Sequence, residues 1–336
     1  MMMNSAKTVG ANGQQTGPRQ PARHGSRIMQ AEYIWLDGEF VPFDRATVHF
    51  LSPSLHYGMG VFEGIRCYAT ERGTAAFRLR EHLRRFLDSI RILGIDQLLL
   101  EVDTLRDVVC RLIRVNNLNA CYVRPMMYFE GPPELILDAY RPVVGVAAWL
   151  WPDFLGHDAR KHGTRMMISS ISRAHPNAGM VRAKVSGQYV NSILAKTMAA
   201  RAGFDDAILL DSEGYVSGCT GENLYLVRDG VIYSPPRDTI LEGVTGESVL
   251  MLASDAGYRV IEERISRDQL FTADEVLACG TAAQVVGVRQ IDYRTIGKGR
   301  PGPVTTHLQH LFLEAAHGND RRSAEWLDYL VMDPFV

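Results

Sequence analysis

The sequence predicts an α+β chain in two units, a small α/β unit followed by a larger, β-rich, barrel-like one with flanking helices. Three observations carry this. Alternating apolar residues surround Asp37-Gly38 in AEYIWLDGEFVPF, a hairpin signal. In LREHLRRFLDSIRIL, Leu79, Leu83, Phe86, Leu87, Ile90 and Leu93 form one helical face. The stretch WPDFLGHDARKHG (151–163) then breaks the pattern with Pro, Gly and charge, and reads as an interdomain loop.

The elements follow in order. After the hairpin, GVFEGIRCYAT and TAAFRL read as strands, and the amphipathic helix follows them. A second helix covers about 101–116, ending before Asn116-Asn117. CYVRPMMYF and PVVGVAAWLW read as buried strands. Beyond the loop, TRMMISSISR is a strand, and AKVSGQYVNSILAKTMAARAG begins extended and becomes a helix that Gly203 ends. DAILLD, GYVS, NLYLV and GVIYSP are strands, the last two joined at Asp229-Gly230. VTGESVLMLASDAGY is a helix with Thr245 at its start, and SRDQLFTADEVLACG leads through a short helix to a strand. The tail holds one or two helices. The expected boundaries are 1–30 for a disordered tail, 31–150 for the small unit, 151–163 for the loop and 164–336 for the large unit.

Composition limits the function classes. The chain has 336 residues, a net charge of -2 and 46% hydrophobic residues, which suits two domains with separate cores. The near-neutral balance gives no reason to expect nucleic acid or a membrane surface as partner. No apolar run approaches the ~20 residues of a membrane helix. The five cysteines, Cys67, Cys110, Cys121, Cys219 and Cys279, are scattered and never spaced as CxxC, which fits a reducing cytoplasm and no zinc site. His307 and His310 lack a third ligand nearby, so no metal is expected. The first thirty residues contain no acid and no apolar signal core, and Met29 stands as an alternative start.

The familiar nucleotide motifs do not fit. Gly58, Gly60 and Gly64 in HYGMGVFEG give GxGxxxG, the wrong spacing for a dinucleotide loop. Two segments suit a phosphate: EGVTGES, where Val244-Thr245 opens a helix, and CGTAAQ, where Gly280-Thr281-Ala282 follows a strand. The ordinary reading of both is a capped helix. Lys184 stands in RAKVSGQYV where a strand gives way to a helix, and partial burial there would make its amine nucleophilic. Arg85 falls opposite the apolar stripe of its helix, so it matters only if that face looks into a cleft.

Together HYGMGVFEGIRCY, FRLREHLRRF, CYVRP, RAKVSGQYVNS, GENLYLV, EGVTGES and CGTAAQ occur in the order seen in branched-chain amino-acid aminotransferases, pyridoxal 5′-phosphate enzymes of fold type IV. The resemblance covers about residues 31–330. It implies transamination of Leu, Ile or Val with 2-oxoglutarate, and a homodimer or higher homo-oligomer in which a loop reaches the neighbouring site. By the resemblance, Lys184 matches the lysine that links covalently to the cofactor and moves the substrate proton. Tyr189 matches the partner of the cofactor phenolate. Arg85, Val244, Thr245 and Thr281 match phosphate donors, and Gly221 lies beside the ring. Tyr57, Phe62, Arg66, Tyr122, Arg124 and Trp151 match the substrate pocket. Thr281 and Ala282 match the α-carboxylate site.

One departure stands out. Relatives usually place a Glu where this chain has Gly218, and that Glu pairs with the cofactor's ring nitrogen. Glu222 is not its replacement, because relatives often carry both. Gln284 is a milder change from Glu. A water, Cys219 or a displaced Glu222 remain as groups for the nitrogen. A related enzyme of altered reaction or substrate (a D-amino-acid or amine aminotransferase, or an aminodeoxychorismate-lyase-like enzyme) and a weakly catalytic cofactor-binding protein remain the alternatives.

Overall fold

The computed structural model describes residues 29–96, 98, 100–151 and 157–332. Residues 1–28 of the expected tail and 152–156 of the expected interdomain loop lie outside the described residues, and His157–His162 of that loop form a short helix where a loop was expected. The first sheet gathers β1 (Met29–Gln30), β2 (Tyr33–Leu36), β3 (Glu39–Pro42), β4 (Val61–Phe62), β5 (Ile65–Thr70), β6 (Gly73–Phe77), β7 (Cys121–Glu130) and β8 (Arg141–Leu150). The β2–β3 hairpin turns at Asp37 and Gly38, with φ of 50° and 101°, the left-handed pair that Asp-Gly favours. A short helix α1 (Pro53–Tyr57) precedes β4. Helices α2 (Leu79–Ile92) and α3 (Val102–Val115) cover one face of the sheet. Leu83, Phe86 and Ile90 enter a core with Leu112, Ile113, Val123 and Met127. Each such buried side chain contributes about 1.5–3 kcal/mol.

The second sheet holds β9 (Thr164–Ile168), β10 (Asp206–Leu210), β11 (Val216–Cys219), β12 (Asn223–Arg228), β13 (Val231–Ser234), β14 (Val260–Glu262), β15 (Glu275–Gly280), β16 (Gln284–Ile291) and β17 (Arg294–Thr295). Its order is β11-β10-β9-β16-β15-β12-β13-β14, with β17 on β16. Around it lie α4 (His157–His162), α5 (Pro176–Gly179), α6 (Tyr189–Arg201), α7 (Val244–Asp255), α8 (Arg267–Thr272), α9 (Pro303–His317) and α10 (Ser323–Trp326). Gly203, with φ of 85°, follows the end of α6 as expected. Among the described residues no helix is long and apolar enough to cross a membrane.

Three features differ from the sequence reading. Strand β16, absent from it, is central, pairing antiparallel with β15 and parallel with β9. Its VVGV run is continuously apolar and lacks the alternation of a half-buried strand. The chain also returns to the first sheet at its end, where β18 (Leu327–Met332) pairs antiparallel with β6, across the expected boundary of the large unit. Finally, the two units share a core. Tyr68, Ala75 and Phe77 of the first sheet pack with Tyr225 and Leu277 of the second, sealed by Val249 of α7, Phe312 of α9 and Trp326 of α10. Each unit also keeps a cluster of its own, around Phe86 and Met127 in the first and around Met166 and Val286 in the second.

Candidate active site

Lys184 is fixed by two backbone segments that run against each other. Phe62 N–H donates to the Lys184 carbonyl (3.1 Å), Ser186 N–H to Gly60 O (2.8 Å) and Gly187 N–H to Gly58 O (3.0 Å). Lys184 N–H donates to Ser89 Oγ on α2 at 3.0 Å. A Cβ on Gly60 would stand 3.1 Å from Ser186 Oγ, and one on Gly187 would stand 3.1 Å from Gly58 O. Gly58 and Gly60, the first two glycines of GxGxxxG, therefore serve this close approach. From it, the Lys184 Nζ donates to Tyr189 Oη at 2.5 Å. The Nζ lies 4.8 Å from the centre of the Phe62 ring.

A cavity opens in front of Lys184 and Tyr189, bounded by Arg85, Arg173, Gly221, Glu222, Thr245 and Thr281. One wall is the start of α7. Gly243 at its N-cap brings no side chain to its free N–H groups. Helix α9 shows the contrast. There the Glu275 carboxylate accepts from Val304 N–H (3.0 Å) and Thr305 N–H (2.8 Å). The α7 terminus thus presents donors and a favourable dipole to the cavity without a carboxylate in place. CGTAAQ departs from the reading of a capped helix. Gly280 pairs with Gln284 across a tight β15–β16 hairpin, with Gln284 at φ of 60°. That turn carries Thr281 to the cavity.

Arg85 does face this cleft. Its Nε and Nη2 donate to the two Glu63 carboxylate oxygens at 2.6 and 2.9 Å, and its Nη1 donates to Glu242 O at 2.5 Å. His82, one turn earlier on α2, places Nδ1 2.9 Å from the same carboxylate. Burial by itself would raise the Glu63 carboxyl. The Arg85 charge and the His82 hydrogen bond outweigh it and hold the carboxyl well below the usual range. Sequence reasoning missed Glu63; an acid inside the apolar segment VFEGI was its one signal. The amphipathic wheel failed for Arg85 because it registers only solvent and core, and this cleft is a third environment.

Glu222 stands in the turn between β11 and β12. It accepts from Gly221 N–H at 3.0 Å. Its carboxyl also bonds Asp206, which accepts from Thr220 Oγ1 at 2.6 Å and pairs with Lys196 at 3.2 Å. Burial, and then the Asp206 charge, pushes Glu222 up to about 8. The folded protein therefore holds a proton that the unfolded chain releases near its ordinary value of 4.5. Stability should fall as pH rises between those values. Thermal unfolding of Glu222→Gln should show a flatter decline between pH 5 and pH 8 than the unaltered protein. Parallel declines would contradict the assignment.

Arg173 is a further group that sequence reasoning missed, with no local signal in SSISRAHPNAG. Its Nη2 donates to Cys219 O at 2.8 Å, while its Nε is buried without a hydrogen-bond partner.

The substrate-side residues gather in part. The Arg124 guanidinium lies 4.8 Å from the Phe62 ring centre, 5.5 Å from Tyr122 and 5.7 Å from Trp149, and its Nε is buried and unpartnered. Trp151 meets Tyr122 edge-on with centroids 4.5 Å apart. A Cβ on Gly64 would overlap the Tyr122 hydroxyl, so only glycine admits this ring. Arg66 Nη1 donates to Ala282 O at 3.1 Å, joining the β5 strand to the hairpin loop. Tyr57 is not brought to this group. It lies on exposed α1, donating to Pro133 O at 2.7 Å.

The cavity fits the cofactor that the resemblance implies. It combines an amine beside a phenol, an uncapped helix start with a threonine, and a guanidinium whose Nη1 has no hydrogen-bond partner among the described residues.

Comparison with known proteins agrees with this geometry. The family described as Amino-transferase class IV matches residues 60–291. A Pseudomonas aeruginosa branched-chain-amino-acid aminotransferase is 43% identical over 295 residues, covering 87% of this chain and 95% of that one. Among solved structures, a T.th. branched-chain amino acid aminotransferase with pyridoxamine 5′-phosphate superposes with a TM-score of 0.85 at 44% identity, covering 90% of this chain and 99% of that one. The same relative complexed with N-(5′-phosphopyridoxyl)-L-glutamate superposes with a TM-score of 0.84 at 44% identity, over the same shares of the two chains.

Proposed function

The chain belongs to the class IV aminotransferases, and within that family we propose that it transfers the amino group of leucine, isoleucine or valine to 2-oxoglutarate. The products are the branched 2-oxo acid and glutamate, and the cofactor is pyridoxal 5′-phosphate. The observation that carries the acceptor assignment is Arg124. A guanidinium held among three aromatic rings with an unmet donor suits a carboxylate, while the ring faces beside it suit an aliphatic side chain.

When bound, the cofactor supplies a carbonyl carbon for amine exchange and an electron-withdrawing ring. The chain's own groups do the rest. Lys184 Nζ takes and returns the proton at the substrate Cα. Tyr189 Oη, at 2.5 Å, fixes where that amine rests. The α7 start, Val244, Thr245 and Thr281 hold the phosphate, with Arg85 braced by Glu63 behind them. Thr281 and Ala282 hold the substrate α-carboxylate. The Trp149, Trp151 and Tyr122 cluster excludes water from the aliphatic side. Incubating the holoprotein with 2-oxoglutarate and each amino acid tests this reading. Glutamate should form with leucine, isoleucine and valine. No glutamate from any of them, with cofactor bound, would contradict it.

Tyr57 would complete the pocket of a second copy, because α1 is exposed where it lies. Phe50, Leu51 and Leu55 are exposed around it, and so are Val190, Ile193 and Leu194 on α6. These surfaces adjoin, since the contact of Gly58 with Gly187 joins the end of α1 to the approach to α6. Apolar patches of this kind mark association sites. Sedimentation should give a dimer or larger assembly, and Leu55→Asp with Ile193→Asp should shift it toward monomer. A wild-type monomer at micromolar concentration would contradict this. All five cysteines are free and buried, which suits a reducing cytoplasm.

A further inference from the structure

We propose that Arg173 faces the ring nitrogen of the bound cofactor and donates a hydrogen bond to it, so that the nitrogen stays unprotonated. This rests on the transaminase reading above. The cofactor presents four polar groups: a carbonyl carbon, a phenolate oxygen beside it, a phosphate, and a ring nitrogen across the ring from the carbonyl carbon. Lys184 and Tyr189, 2.5 Å apart, answer the first two, and the α7 start with Thr281 answers the phosphate. Arg173 also lines the cavity; its Nε is closed off from a ligand, and Nη1 is the open nitrogen left without a hydrogen-bond partner among the described residues.

Its position agrees. A side chain on Gly218 would start 3.7 Å from Arg173 Nη2, so the guanidinium reaches toward the space that a side chain at 218 would enter. Among the described residues no carboxylate forms an ion pair with it. The acid beside it, Glu222, bonds Asp206 and the Gly221 N–H, and its burial beside the Asp206 charge favours its protonated form. A half-buried cation without a counter-ion disfavours a second positive charge against it. An unprotonated nitrogen instead accepts from Arg173 Nη1, which no protein group engages among the described residues. The ring then withdraws electrons more weakly, and the Lys184 proton transfer has to carry more of the work.

Gly218 also shows why the chain does not simply regain an acid there. It sits in a bulge of β11 with φ of 119°, and a Cβ would stand 2.9 Å from Glu222 O. Gly218→Glu would be strained whatever the chemistry, so Arg173 is the better position to alter.

The test uses holoenzyme reconstituted with cofactor labelled with nitrogen-15 in the ring. Nuclear magnetic resonance should report an unprotonated pyridine nitrogen across the neutral pH range. In Arg173→Met the resonance should move and the nitrogen should take up a proton at higher pH than before. Apoprotein should bind the ring-N-methylated cofactor at least about tenfold more weakly than the normal one, and Arg173→Met should reduce that preference. A protonated nitrogen in the unaltered holoenzyme overturns the proposal even if Arg173→Met fails to fold. So does a resonance and preference unchanged in a folded Arg173→Met. Either result leaves transamination standing, whereas absence of cofactor on Lys184 overturns both readings.

Discussion

Lys184→Ala is expected to lose amino-group transfer by on the order of 10⁴-fold, the upper range for removing a general acid–base group. The cost to folding should be small, about 1 kcal/mol, because the side chain gives up one hydrogen bond, to Tyr189 Oη. The backbone that positions it is held independently by Ser89 Oγ, Phe62 N–H and Gly60 O, and survives the truncation. Single-turnover rates with leucine, together with thermal unfolding, measure the two quantities. A small exogenous amine should restore part of the rate, since the cavity would keep the α7 start, Thr245 and Thr281. Loss of rate with an equal loss of folded protein would instead mark Lys184 as structural.

Arg124→Ala should separate the two halves of the reaction. The half-reaction with glutamate should fall by about 10²-fold in kcat/KM, the scale of leaving a carboxylate charge unpaired in a desolvated site. The half-reaction with leucine should change by less than about tenfold, because an aliphatic side chain gains little from a guanidinium. The aromatic neighbours set the limits of this experiment. Phe62, Tyr122 and Trp149 lean on the guanidinium, so some slackening of the pocket accompanies its loss. Arg124→Met keeps more of that packing and should show the same split. Equal losses with leucine and glutamate would remove Arg124 from acceptor recognition.

Much of this was legible in the sequence, for identifiable reasons. The Asp37-Gly38 and Asp229-Gly230 hairpins and the α2 stripe are local signals, and each formed as read. Lys184, Tyr189, Thr245 and Thr281 came from ordered motifs, and one cavity gathers all four. What escaped depends on long-range placement. Strand β16 is buried on both sides, so its run carries no alternation. Strand β18 closes the first sheet from the far end of the chain, a pairing that no local pattern encodes. Glu63 acquires its meaning only when α2 brings His82 and Arg85 to it, and Arg173 only when β11 runs beside it. In EGYVSGCTGENLYLV the sequence shows only that Gly218 lacks an acid; the structure adds the Arg173 guanidinium near that place.

The central claim is that amine exchange takes place in this one cavity, at Lys184. Borohydride reduction of the holoprotein followed by peptide mass mapping tests it most directly. The account predicts a pyridoxyl adduct on Lys184, its loss when leucine is added before reduction, and its return after 2-oxoglutarate. An adduct on another lysine, or one that leucine leaves unchanged, would contradict it.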